Sequence, residues 1–439
     1  MKTGKLSTYF ENHPGIVGLI TWICRILVGA TFVYSGFAKG IDPWGSLYKF
    51  EEYFALFGFN PGNSLIIAGV FFLCIYEFFC GVSLLTGSFR RSSVILTALM
   101  MVVMLPLTFW IMISDPVSDC GCFGDAVIIS NSATFWKNVV ICVLIGWLWK
   151  FNKRVACLIN PYLQWIQATC SALFIIVVGG IGYIYQPLID FRPYHTGSKI
   201  IDFDDNNEDD ADYAFVYRRG NEIKRFAEDE ELPEEGDGWE FVERIEVADK
   251  KGNDKKIGER NLTVWNPEDD EDVTHEVIKD HGKMIILFMP SVKDVSIAST
   301  WIINSLKDMS ERHAIDFIAI VSGSQKDIEE WQDLSLADYP IYTADDTQIK
   351  EVVRGNPGVV YLSDGVIEWK STLRALPASD FMAAGTPSDP QSFSRDNNKI
   401  LRNIALIYVA VLSVLIALSF SGRFVMRLTG KSERRKMEK

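Results

Sequence analysis

The chain has 439 residues, a formal net charge of -13 at pH 7 and a hydrophobic fraction of 48%. That length leaves room for a helical bundle together with a separate soluble unit. The acidic balance argues against nucleic acid as a partner, because phosphate backbones repel a negatively charged surface. Apolar residues are gathered into long runs, whereas acidic residues concentrate between residues 202 and 272. We therefore expect one part of the chain in lipid and another in water.

Six apolar runs are close to the roughly 20 residues that cross the hydrocarbon core of a bilayer. The first run is too long for the core of a cleavable signal peptide, so we expect it to remain as a helix. The runs are 16–38, 64–86, 92–113, 133–149, 166–185 and 400–420. This pattern predicts a membrane α-helical bundle embedded in a lipid bilayer.

Basic residues flank alternate ends of these runs and fill the tail after the last one. They are Lys2, Lys5, Arg90, Arg91, Lys150, Lys153, Arg154 and those between residues 423 and 439. Because loops rich in Lys and Arg stay in the cytoplasm, we expect both termini on the cytoplasmic side of a bacterial inner membrane. The loop around Cys120 and the region 190–398 would then face the periplasm.

The region between the fifth and sixth runs is acidic at first and then alternates strands with helices. Short strands are predicted at 212–218 and 239–244, separated by acidic turns. From residue 283 the pattern predicts strands at 284–288 and 317–322, helices at 297–311 and 326–331, and a hairpin at 359–362 and 366–370. Together these elements predict an α/β domain.

Only two of the eight cysteines are expected in the outer compartment. The other six are interpreted as packing residues, namely Cys24, Cys74, Cys80, Cys142, Cys157 and Cys170. Cys120 and Cys122 would reach the oxidising side of the membrane, where thiols pair or react. With the flexible Gly121 between them, they would close a small, strained ring that is easily reduced.

Three interpretations of Cys120 and Cys122 stay open. The pair can exchange disulfides with another protein, since a thiolate attacks a disulfide sulfur. It can instead form a static structural disulfide. It can also bind a metal ion together with Asp119 or Asp125. The chain has no second outward cysteine pair, so disulfide exchange would require a redox partner protein.

A carboxylate, Glu77, lies near the middle of the second run. Such a group is costly in lipid unless it is protonated, paired or hydrated. Arg25 in the first run is its expected partner, and this pair would fix helix packing, relay protons or contact a quinone carbonyl. His195, after the fifth run, is a further candidate base or metal ligand, although a lone histidine is more often a surface residue.

Several short motifs in the first four runs occur together. Residues 34–43 read Tyr-Ser-Gly-Phe-Ala-Lys-Gly-Ile-Asp-Pro, and residues 120–125 read Cys-Gly-Cys-Phe-Gly-Asp. With Glu77 and the sequence Trp-Lys-Asn at 136–138, they make residues 16–150 resemble the DoxX family, particularly its methylamine-utilisation, MauE-like branch. The resemblance implies a four-helix bundle linked to disulfide maturation of exported proteins or to quinone-coupled sulfur oxidation.

Residues 283–398 resemble a thioredoxin-like domain. Pro290 and Ser291 fall where such a domain carries its active-site turn, and Asn356 and Pro357 fall at its proline loop. The cysteines of that family are missing here, so this domain alone cannot exchange disulfides. Its groove could still bind an extended client peptide at these four residues, or the domain could be a structural lid.

The expected organisation is a four-helix DoxX/MauE-like membrane domain at 1–155, a fifth helix at 156–189, an acidic β-rich segment at 190–282, a thioredoxin-like extracytoplasmic α/β domain at 283–398, and a sixth helix with a basic tail at 399–439. The leading hypothesis is thiol–disulfide chemistry at Cys120 and Cys122 on an exported client or redox partner. The alternatives are a scaffold with a structural disulfide and a subunit of a quinone-linked sulfur oxidoreductase, with quinone as the candidate cofactor.

Overall fold

The computed structural model describes residues 14–59, 61–117, 119–201, 213–219, 222–227, 240–246, 262–269, 271–377 and 390–437. Within these residues, six helices are long and apolar enough to cross a membrane. The candidate membrane spans are Pro14–Ile41, Asn63–Thr86, Arg90–Ser114, Asn131–Phe151, Pro161–Ile184 and Pro390–Ser421. The last two spans each begin with a short 3-10 turn that precedes the α-helix itself. The prediction of a membrane helical bundle is confirmed.

Within the described residues, the first part of the chain consists of helices and the loops that connect them. In chain order its helices are α1 (Pro14–Ile41), α2 (Pro43–Leu56), α3 (Asn63–Thr86), α4 (Arg90–Ser114), α5 (Asn131–Phe151) and α6 (Gln164–Ile184). Helix α1 packs on α3 and α5, α4 packs on α5, and α6 packs on α1 and α3. Small residues allow the closest contact: a Cβ at Gly36 of α1 would lie 2.6 Å from the Phe78 backbone nitrogen of α3.

Helix α2 is an addition that the sequence analysis did not predict. Pro43 marks the end of the first helix, since α1 ends at Ile41. Pro43 also starts α2, where the Asp42 side chain caps the helix by accepting a hydrogen bond from Gly45 N at 3.0 Å. Proline suits a first helical turn because its missing N–H would have no partner there.

The second part of the chain contains strands and short helices, followed by one long helix. Its elements are β1 (Tyr213–Arg219), β2 (Glu222–Ala227), β3 (Glu240–Glu246), α7 (Thr274–Val277), β4 (Lys283–Met289), α8 (Thr300–Arg312), β5 (Asp316–Val321), α9 (Gln325–Ser335), β6 (Ile341–Thr343), α10 (Asp346–Val352), β7 (Gly358–Ser363) and β8 (Val366–Thr372). The last helix, α11 (Asn397–Met437), packs on α6.

Strands β4 to β8 form one mixed sheet in the order β6-β5-β4-β7-β8. Strands β6, β5 and β4 run parallel, and β7 and β8 pair antiparallel beside β4. Successive residues of β4 alternate between two buried clusters: Ile285, Leu287 and Met289 belong to one, and Ile286 and Phe288 to the other. The sheet is therefore covered on both faces, which is compatible with the predicted α/β domain.

A separate antiparallel sheet has the strand order β2-β1-β3. Strands β1 and β3 fall at the predicted strands 212–218 and 239–244, whereas β2 was not predicted. The acidic turns predicted between residues 202 and 237 fall mostly outside the described residues.

Candidate functional site

The thiol loop, residues 119–127, connects α4 to α5 at the end of the bundle where α1 finishes. Cys120 and Cys122 are buried, neither is in a disulfide, and their Sγ atoms lie 3.1 Å apart. The turn between them depends on Gly121, whose φ of 64° is unfavourable for residues with a side chain. Asp119 Oδ2 accepts a hydrogen bond from Gly121 N at 2.8 Å and holds this turn.

The two thiols differ in acidity. The hydrogen bond with Cys120, together with the nearby Lys137 and Lys39, lowers the pKa of Cys122 to about 6 despite its burial. The same hydrogen bond and burial raise the pKa of Cys120 above its usual range. Cys122 is therefore the more acidic of the two thiols.

Helices α2 and α5 both contact the thiol loop. Tyr53 donates a hydrogen bond to the Cys120 carbonyl oxygen at 3.0 Å, and Lys49 Nζ lies 2.8 Å from Asp119 Oδ1. On α5, Lys137 Nζ lies 4.2 Å from the centre of the Phe123 ring. The loop is thus fixed between two helices, with cations on both sides.

A buried ion pair lies directly below the thiol loop. Lys39 Nζ donates to both carboxylate oxygens of Glu77 at 2.8 Å, and the two side chains are 8% and 4% exposed. Ser35 Oγ accepts from Lys39 Nζ at 2.9 Å and lies 2.8 Å from Glu77 Oε2. The same Ser35 Oγ lies 2.7 Å from the Cys122 carbonyl oxygen, which connects the ion pair to the thiol loop.

The predicted pairing of Glu77 with Arg25 is wrong. Arg25 Nε donates to the Leu84 carbonyl at 2.8 Å, and its Nη1 donates to the Ala156 carbonyl at 3.3 Å. Helices α1 and α3 run antiparallel, and Glu77 lies level with Gly36. At a helical rise of 1.5 Å per residue, Arg25 is about 16 Å further along α1. The sequence signal for the true partner was the lysine of the Gly-Phe-Ala-Lys motif.

A small cavity joins the ion pair to the thiol. It has a volume of about 30 Å³, and its lining includes Ser35, Lys39, Glu77, Cys122 and Lys137. Sites for organic ligands usually measure about 300–1,000 Å³, whereas a single water needs about 10–15 Å³. In this conformation the cavity fits a water molecule and is too small for a quinone ring.

Arg354, in the α/β domain, is bound by two carboxylates of the membrane bundle. Its Nη2 lies 2.8 Å from Asp42 Oδ2 and also contacts Asp125 Oδ2, three residues after Cys122. Arg354 N donates to Gln186 Oε1 at 3.0 Å, and Gln186 Nε2 donates back to the Arg354 carbonyl at 2.8 Å. Sequence reasoning missed Arg354, because no local pattern marks an arginine whose partners lie in another domain.

The four residues proposed to bind a client lie close together. The Asn356–Pro357 peptide bond is cis, and Asn356 Nδ2 donates to the Ser291 carbonyl oxygen at 2.6 Å. Pro290 and Pro357 are buried, whereas Ser291 and Asn356 are half-buried. Arg354 precedes this loop by two residues, so its contact with Asp125 places the proline loop beside the thiol loop.

The histidine that was a candidate base or metal ligand lies outside the site. His195 is exposed, and its Nδ1 lies 3.0 Å from the Thr196 carbonyl oxygen. Across the described part of the chain, no group of three or more His, Cys, Asp or Glu residues could hold a metal ion. Asp119 and Asp125, the carboxylates considered as metal ligands, pair with Lys49 and Arg354.

The comparison with known proteins concerns the membrane domain. No curated protein and no solved structure matches the chain. Residues 17–151 match the family model described as methylamine utilisation protein MauE. The match includes the thiol loop and the Lys39–Glu77 pair, while the α/β domain lies beyond it. This chain is therefore a membrane protein whose domain at residues 17–151 is MauE-like.

Proposed function

We propose that this protein is a bacterial inner-membrane component that exchanges disulfides with exported proteins during their maturation, through Cys120 and Cys122. The observation that carries the proposal is the contact of two free thiols, 3.1 Å apart, of which Cys122 has the lowered pKa. The MauE-like membrane domain supports a role in maturation of exported proteins. The basic residues on alternate loops support a periplasmic thiol loop.

The exchange starts at Cys122. Its thiolate attacks a client disulfide, so that a new S–S bond joins Cys122 to the client and the client's own S–S bond breaks. Cys120 then loses its proton and attacks the Cys122 sulfur, which releases the client as a dithiol. The client gains two electrons, and the cysteine pair becomes a disulfide. A dithiol partner protein restores the pair, and the same intermediate serves the reverse direction.

The α/β domain would supply client binding. Its arrangement of parallel and antiparallel strands supports the thioredoxin-like interpretation. Because this domain lacks cysteines at its turn, its contribution would be a groove at Ser291 and Asn356 that binds an extended segment by main-chain hydrogen bonds. Arg354 would hold that groove next to the thiol loop.

Trapping of the mixed disulfide tests the proposal. In cells that express the full chain, Cys120→Ser removes the thiol that releases the client, so reducible adducts should accumulate on Cys122. Cys122→Ser removes the attacking thiol and should give no such adducts. Cys157→Ser, a change of a cysteine on the other side of the bundle, is the matched control and should resemble the wild type.

The interpretation as a static scaffold predicts another result. If neither Cys120→Ser nor Cys122→Ser gives reducible adducts, and a membrane-impermeant maleimide fails to label the thiol loop even after reduction, the exchange proposal is wrong.

A further inference from the structure

We propose that the Lys39–Glu77 pair controls the protonation of Cys122. In this proposal Glu77 accepts the thiol proton, and Lys39 changes from pairing with the Glu77 carboxylate to pairing with the Cys122 thiolate. The inference rests on the proposed use of Cys122 as a nucleophile, and it assigns a role to a pair that the exchange reaction does not itself require. Lys39 and Glu77 would be positioning residues, because they act on the client only through Cys122.

The first support is the geometry of Ser35. Its single hydroxyl proton can go to only one acceptor, yet Glu77 Oε2 at 2.8 Å and the Cys122 carbonyl oxygen at 2.7 Å are both within reach. When Glu77 is ionised, Ser35 donates to the carboxylate. When Glu77 is protonated, it donates to Ser35 Oγ, and Ser35 donates to the Cys122 carbonyl. Both protonation states therefore keep their hydrogen bonds without movement of heavy atoms.

The second support is the conservation of buried charge. A new charge in a dry site is unfavourable unless another charge compensates it. Transfer of the proton from Cys122 Sγ to a Glu77 oxygen leaves one anion beside the Lys39 ammonium before and after the step. The S–H bond breaks, an O–H bond forms, and no proton has to reach bulk water. The cavity that joins the two groups has room for a water that carries the proton.

Three helices and the thiol loop contribute to the charge environment of Cys122, whereas α4 packs against it through apolar residues such as Met104. Helix α1 supplies Lys39, α3 supplies Glu77 and α5 supplies Lys137, while Cys120 Sγ lies 3.1 Å from Cys122 Sγ in the loop itself. Other ionisable groups nearby include Tyr53 of α2, which bonds to Cys120, the Lys49–Asp119 pair beside the turn and the Asp125–Arg354 pair after it. Tyr34 contacts Phe123, and Cys74 lies near Lys39. Among these groups, Glu77 is the carboxylate that shares the cavity with Cys122.

The test is the pH dependence of Cys122 alkylation. The full chain with Cys120→Ser, which keeps a hydroxyl donor beside Cys122, is treated with iodoacetamide between about pH 5 and pH 10, and mass spectrometry follows the Cys122 peptide. Because Cys122 and Glu77 share one proton, the rate should rise in two steps with a plateau between them. The measurement needs no client, so it can succeed or fail independently of the trapping experiment.

Variants of the ion pair separate coupling from a structural role. Adding Glu77→Gln should leave a single rise at lower pH, because the carboxylate that raises the pKa of Cys122 is lost. Lys39→Met should also leave one rise, and the midpoint of that rise should move to higher pH by at least a tenfold change in proton concentration. Lys39→Arg keeps the cation and should restore the two-step profile. Arg25→Met removes a buried cation about 21 Å along the same helix and should change nothing.

A single rise in the starting protein whose midpoint and shape are unchanged by Glu77→Gln would overturn the proposal. A two-step profile that survives Lys39→Met would do the same. If Lys39→Met does not fold, the comparison of Lys39→Arg with Glu77→Gln still decides between the two results.

Discussion

Replacement of Arg354 by Met should release the α/β domain from the end of the helical bundle. Arg354 is 5% exposed and contacts both Asp42 and Asp125. Breaking a buried ion pair costs about 3–5 kcal/mol, because the remaining charge is left uncompensated. The Asp125 side chain is 33% exposed, and the Asp42 side chain is 11% exposed. Water therefore screens part of the loss, and we expect about 3 kcal/mol.

That free energy corresponds to a change of about 150-fold in the ratio of docked to released domain. Hydrogen–deuterium exchange of the full chain measures the change at the Arg354 amide, which donates to Gln186 Oε1 at 3.0 Å. Exchange at this amide and its neighbours should become roughly 100-fold faster in Arg354→Met, because release exposes them to water.

Lys307→Met is the control for the loss of a lysine or arginine charge. Lys307 pairs with Asp338, whose side chain is 69% exposed, and such an exposed pair contributes little to stability because water screens it. Exchange near Arg354 should be unchanged in this variant. If Arg354→Met also leaves exchange at residues 350–358 unchanged, Arg354 does not hold the domain in place, and the described contact between the two loops has another cause.

Two further predictions concern stability. Gly36→Ala should lower the free energy of unfolding by about 1–3 kcal/mol, because its Cβ would meet the α3 backbone, whereas Gly69→Ala meets no atom within 4 Å and should be neutral in thermal unfolding. Burial alone would raise the pKa of Asp190, but Arg192 and Lys370 hold that pKa below its usual range. As the pH falls, Asp190 therefore takes up a proton in the unfolded chain before it does so in the folded protein. The stability that Asp190 contributes should be lost as the pH falls below about 4. Asp190→Asn should flatten this acid dependence in a pH series of unfolding curves.

The membrane helices could be predicted because a lipid environment allows few backbone structures. Every backbone polar group must be satisfied within the segment, so a long apolar run becomes a helix. The predicted runs 16–38 and 92–113 lie inside the observed helices Pro14–Ile41 and Arg90–Ser114. Helix α2 was missed because its 14 residues are too short to span a membrane and it starts at a proline that also ends a helix.

The site was predictable only as far as single residues reveal their chemistry. A cysteine pair in a loop and a carboxylate in an apolar run are unusual enough to be recognised alone. Their partners depend on how helices and domains pack, and the chain separates Lys39 from Glu77 by 38 positions and Arg354 from Asp42 by 312.

The most direct test of the central claim compares the two thiols in the full chain. Iodoacetamide alkylation is followed against pH for Cys122 in Cys120→Ser and for Cys120 in Cys122→Ser. The pH at which reactivity first rises is the quantity to compare, since a more acidic thiolate is also less nucleophilic and the rates alone would be misleading. We predict that Cys122 reactivity first rises near pH 6, whereas Cys120 reactivity is still rising at about pH 9. If both thiols first rise together near pH 9, Cys122 is not an activated nucleophile and the exchange mechanism is contradicted.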